Sequence, residues 1–122
     1  MAREILFRAK HVHALSKNKH LDGTWIEGYL VDENYINSPE LEGEFLIDKN
    51  TICQYTGLTD KNGKKIWEND IIKINFQGSG RRDVVVFDPP MFTPKHSVRW
   101  SMSEDEVIGN IFDNPELLEA VE

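Results

Sequence analysis

At 122 residues, with 39% hydrophobic and 29% charged side chains, the chain suits one small globular domain, or a domain with an extension, and not a disordered polymer. A net charge of −7 disfavours non-specific nucleic-acid binding but leaves room for a local basic face. Cys53 is the lone cysteine, so no intrachain disulfide can form, and no apolar run approaches the ~20 residues that span a bilayer. The start, MAREILFRAKHVHALSKNK, is basic but lacks the apolar core and cleavage site of a signal peptide. A cytoplasmic protein without membrane contact is expected.

The first element in chain order is EILFRA (4–9). Ile5 and Phe7 alternate with Leu6 and Arg8 as in a strand. A polar loop ending in Asp22-Gly23 leads to TWIEGYLV (24–31), whose aromatic and β-branched content predicts a second strand. EFLI (44–47) follows the loop NSPELEG as a third, shorter strand.

The most patterned stretch is QYTGLTDKNGKKIWENDIIKINF (54–76). Asn62-Gly63 lies between Leu58 and Ile66, and this pair is a strong hairpin signal because both residues tolerate positive φ. Asn69 suits a left-handed position just before the next strand, and Asp70 can bond nearby backbone. In that strand Ile72, Ile74 and Phe76 share one face, opposite Ile71, Lys73 and Asn75. The turn residues fix a register, since a slip of one residue would turn the apolar set outward.

QGSG (77–80) reads as a turn, and RRDVVVFD (81–88) as a strand apolar on both faces, hence central in a sheet. PPMFTPK carries Pro89, Pro90 and Pro94 and is expected to be an extended loop. HSVRWSM and EVIGNIF are further strand candidates, the latter with Gly109 as a bulge. NPELLEAVE has Asn114 at an N-cap position, Pro115 at the first helical position, and an apolar stripe of Leu117, Leu118 and Val121. The total is a mainly β chain, a small barrel or sandwich, with one short terminal helix.

QYTGLTDKNGKKIWENDII (54–72), EVIGNIFDNPELLE (106–119) and, more weakly, REILFRA with WIEGYLV resemble the YopX family of small proteins found largely in phages and prophages. Where the family usually has Gly before Gln-Tyr-Thr-Gly, this chain has Cys53; Trp67 replaces a frequent Tyr, and Asn69 a frequent Gly. These changes keep an aromatic side chain and a positive-φ position. The resemblance implies an SH3-like β-barrel over residues 49–122, with the short C-terminal helix. It also implies an N-terminal β segment over residues 1–48 that exchanges or packs between subunits. It implies no activity and no catalytic residues.

Charge falls in blocks. Residues 21–48 hold eight acids and no base, residues 49–82 hold seven bases against three acids, and residues 101–122 hold seven acids and no base. Such blocks point to distant segments meeting, within a chain or between chains, against the plainer reading of solvated faces.

Candidate chemistry is sparse. His11 and His13, two apart on an extended segment, could share a metal, but no third ligand has signature spacing and solvent-facing histidines are the simpler reading. Cys53 reads as a small core residue. GSGRR (78–82) lacks the lysine and hydroxyl of a phosphate loop, and Asp60, Glu68 and Asp70 are explained by turn chemistry before Mg²⁺. Arg81, Arg82, Lys64, Lys65 and Lys73 could form a basic nucleic-acid face beside Trp67. Met91-Phe92 could form an apolar patch for a protein partner. The preferred reading is a non-enzymatic, homo-oligomeric β-module without a cofactor, contacting an unknown phage or host protein. Nucleic-acid binding and a metal-dependent hydrolase on His11 and His13 are the alternatives.

Overall fold

Two-residue periodicity dictates most of what is seen. The structure, a computed structural model, describes residues 6–12, 23–74, 81–89, 91–96 and 101–119. The chain divides into two units, Met1–Tyr55 and Thr56–Glu122.

In the first unit, β1 (Phe7–Lys10), β2 (Trp25–Asp32), β3 (Tyr35–Ser38), β4 (Gly43–Leu46) and the start of β5 (Cys53–Thr59) lie in the order β4-β3-β2-β1-β5. All the paired strands are antiparallel. The register sets Ala9 beside Ile26, Leu30 beside Ile36, and Ile36 beside Phe45. That face carries the core: Ala9, Ile26, Ile36 and Ile47 are buried, and Phe7, Leu30, Phe45 and Ile52 pack against them. A fully buried isoleucine contributes ~1.5–3 kcal/mol, so Ile26 and Ile36 anchor the sheet. Gly28 is required here because any Cβ would drive into the Asn37 carbonyl of β3.

β3 lies in a stretch that reads as loop. It has one core side chain, Ile36, and its order comes from pairing with β2 and β4 on both sides, so local propensity does not announce it. A 3₁₀ turn, Lys49–Thr51, follows β4 with Asp48 as its N-cap. Gly23 takes the left-handed conformation (φ 78°) expected of the Asp-Gly signal.

The second unit begins within β5, which hydrogen-bonds to β6 (Lys65–Trp67). β7 (Asp70–Ile74), β8 (Arg81–Asp88), β9 (Met91–Pro94) and β10 (Glu106–Asn110) form an antiparallel sheet in the order β10-β7-β8-β9. Ile72, Ile74, Val85, Phe92 and Val107 join Ile66 and Met102 in one buried cluster, with Leu58 against it. β8 is interior, as its two apolar faces require, and β10 shifts register between Val107 and Gly109, the expected bulge.

Two expectations need correction here. Met91–Pro94 is strand, not loop. Lys95 N–H donates to Val84 O at 2.8 Å, which makes the neighbouring Pro94–Val85 pair a non-hydrogen-bonded one. Pro94 therefore costs the ladder to β8 nothing, and β9, the outermost of the described strands of its sheet, tolerates it. The second correction concerns Asn114. Its Oδ1 accepts from Asn110 N–H at 3.2 Å, so it reaches back to β10 instead of capping α1 (Glu116–Glu119). The helix start is held by Leu117 N–H donating to Asn114 O, and Leu117 and Leu118 are half-buried.

The architecture is mainly β, and no closed barrel is found among the described residues. Phe76, the turn 77–80, residues 97–100 of HSVRWSM and Val121 lie outside the described residues.

Candidate functional site

The face of β2 and β3 opposite the first unit's core is exposed and aromatic. Tyr29 is 49% exposed, Val31 51% and Tyr35 40%. Alternation along β2 puts Ile26, Gly28 and Leu30 inward and Glu27 and Tyr29 outward. A bulge sets Val31 and Asp32 together opposite Tyr35, so both side chains turn to the outer face. Carboxylates surround the aromatics: Glu27 on β2, Asp32 and Glu33 at the β2–β3 turn, and Glu44 opposite Asn37. Nearer β1 on the same face, the Arg8 guanidinium and the Lys10 ammonium lie 4.5 Å and 5.5 Å from the centre of the Trp25 ring. Cations therefore already stack on an aromatic of this sheet. Tyr35 was hidden from sequence reasoning because its strand was; the short run Tyr35-Ile36-Asn37, alternating about one isoleucine, was the available signal.

His11 is buried, not solvent-facing. Its Nδ1 bonds Leu46 O, its ring meets Phe45 edge-on at 5.4 Å, and Nε2 has no hydrogen-bond partner among the described residues. The bridge between His11 and Ile47 draws this residue inward. His13 lies outside the described residues, and among those described no three His, Cys, Asp or Glu side chains are grouped to hold a metal ion. An open cleft of about 600 Å³ is lined by Val12, Asn34, Leu46 and residues 47–50. Cys53 is a core residue whose Sγ bonds Thr51 O.

In the second unit the expected basic residues do not share one surface. Lys73 stands opposite Arg82 on adjacent strands, whereas Arg81 falls on the other face of β8. Arg82 Nη1 donates to Leu117 O at 2.9 Å and so ties β8 to α1. Lys64 and Lys65 are exposed with Lys61 around the β5–β6 hairpin tip. Phe92 of the expected apolar pair is buried in the core; half-buried Met91 and exposed Phe87, which packs on Phe92 at 5.0 Å, hold the surface there.

The carboxylates of this unit hold backbone. Asp60 is almost fully buried; Oδ1 accepts from Asn62 N–H at 2.8 Å and Lys64 N–H at 2.9 Å, and Oδ2 from Val107 N–H at 2.9 Å. Burial alone would raise its pKa, but the N–H donors of Val107, Lys64 and Asn62, aided by the Lys64 ammonium, outweigh it and hold the carboxyl below its ordinary value. Asp70 Oδ2 accepts from Trp67 N–H, as the sequence led one to expect, and Asn69 has φ 72°. Buried Asp83 takes His96 N–H and Nδ1 at 2.8 and 3.0 Å, a pairing across 13 positions with no local signal.

The family model described as YopX protein matches residues 7–119. The chain belongs to the YopX family. No curated protein matches the chain significantly. Among solved structures it is similar to protein EF1440 from Enterococcus faecalis, with a TM-score of 0.59 and 22% identity, over 96% of this chain and 99% of that one. That likeness speaks to the fold alone.

Proposed function

We propose that this member of the YopX family is a non-enzymatic protein-interaction module of phage or prophage origin that works in the cytoplasm as a homo-oligomer. The observation that carries the reading is the exposed face of Tyr29, Val31 and Tyr35. Tyrosines with apolar neighbours and a polar rim have the composition of an interface centre, and a sheet face of this kind in water favours association. The unit that begins at Thr56 belongs, in this reading, with SH3-like modules, its β5–β6 hairpin and Asn69-Asp70 turn leading into the sheet. The hydrogen-bonded state of the buried carboxylates supports a structural role for them over a catalytic one.

Light scattering at micromolar concentration tests the reading. A mass that is a multiple of 14.1 kDa is expected; a clean 14.1 kDa monomer across the concentration range would overturn it.

A further inference from the structure

The acid rim says what the aromatic face cannot pair with. Two copies meeting face to face about a two-fold axis near the β2–β3 turn would bring Asp32, Glu33 and Glu44 of one copy toward the same acidic group of the other, and like charges brought together at an interface are unfavourable. Residues 21–48 hold no base, and the two cations of this face, Arg8 opposite Glu27 and Lys10 opposite Trp25, lie at its β1 side against the Trp25 ring. The face calls for a cationic occupant.

The chain carries one of suitable form. At the β5–β6 hairpin, Lys64 and Lys65 are exposed beside Asn62-Gly63, with Lys61, whose ammonium lies 3.9 Å from Glu106, across the turn, and Gly63 has open space around it. The tip is held in shape by Asp60, which binds the backbone of Asn62 and Lys64, so its lysines are presented on a fixed loop. A lysine can lay its methylene stem on Val31 while its ammonium meets a tyrosine ring or a rim carboxylate. Arg8 and Lys10 over Trp25 show the same contact on the same sheet.

We infer that copies of this chain associate head to tail, the lysine-bearing hairpin tip of one docking on the acid-rimmed face of β2–β3 in the next. The inference rests on the homo-oligomer reading and gives it a specific interface. Because the two surfaces differ, the association is heterologous, and it ends in a closed ring or an open string according to the angle between successive copies.

Complementary variants test it. Glu33→Gln/Glu44→Gln alters the face and leaves the tip; Lys64→Gln/Lys65→Gln alters the tip and leaves the face. All four positions are exposed, and circular dichroism checks that both variants fold. Each variant alone is expected to lose assembly and run at 14.1 kDa, whereas an equimolar mixture, having one intact interface, recovers a species of twice that mass. Raising salt should dissociate both that species and the unaltered oligomer. Variants that keep the original mass, or a mixture of folded variants that stays monomeric, would overturn the head-to-tail interface while leaving the oligomer reading intact. An unaltered chain that is monomeric throughout defeats both. Binding of a single-stranded oligonucleotide that the lysine variant loses, with no change in its mass, would assign the tip to nucleic acid and overturn the inference.

Discussion

Replacing Asp60 by Asn should destabilise the second unit far more than the loss of a surface charge would. The carboxylate serves three backbone donors, two through Oδ1 and one through Oδ2, and the third belongs to Val107, 47 positions away. An asparagine has one acceptor oxygen, so whichever way the amide turns, an NH₂ faces a buried backbone N–H. An unmet buried donor costs ~1–3 kcal/mol, and loss of charge weakens the bonds that remain, giving a total of ~2–4 kcal/mol. At roughly 4 °C per kcal/mol for a chain of this size, the melting temperature at neutral pH should fall by about 8–16 °C. The pH dependence supplies a second check. The folded pKa of Asp60 lies below its unfolded value, so its contribution is complete above the unfolded carboxylate range, near 4, and is lost as pH falls through the folded value. The gap between the parent and Asp60→Asn should therefore narrow on acidification. A difference below about 0.5 kcal/mol by urea denaturation, or a gap that does not narrow in acid, would refute the assignment of Asp60 as a charged backbone clamp.

Gly28→Ala should cost ~1–3 kcal/mol, because the new methyl meets backbone that cannot step aside, and an unchanged urea midpoint would refute the close approach of β2 to β3. Truncation after Asp113 removes half-buried Leu117 and Leu118 and the Leu117 carbonyl that Arg82 holds. A loss of ~1–3 kcal/mol is expected, and rapid amide exchange at Leu117 and Leu118 in the full chain would show instead that α1 does not dock.

Legibility in the sequence followed the distance over which each determinant acts. β2, β8 and the bulged β10 could be read because their alternation is local, and Asn69 and Asp70 because a turn is settled within a few residues. At Asn62-Gly63 the hairpin was legible but not its geometry: Gly63 alone takes positive φ, and Gly63 N–H bonds Asp60 O, so Asp60 opens the turn. β3 and β9 were not legible, since both exist through their partners, and prolines beside β9 masked a strand that needs no N–H at Pro94. The aromatic face was half visible. Tyr29 and Val31 alternate within a recognisable strand, but Tyr35 joins them only through the pairing of β3. Burial of His11 depends on Ile47 and Leu46, some 35 positions on, and nothing near the histidine announces it.

Pro94 has an effect beyond its own strand. Among the described residues β9 is the last strand on its side of the sheet, and the alternation of bonded pairs places the nitrogen of Pro94 on the side away from β8. Having no hydrogen to offer, it leaves a gap in the row that an incoming strand would need to zip along. Growth of sheet from this margin is thereby discouraged. In the proposed oligomer, contacts would therefore run through side chains, which charge and salt can tune, and not through the indiscriminate main-chain pairing that leads to fibres.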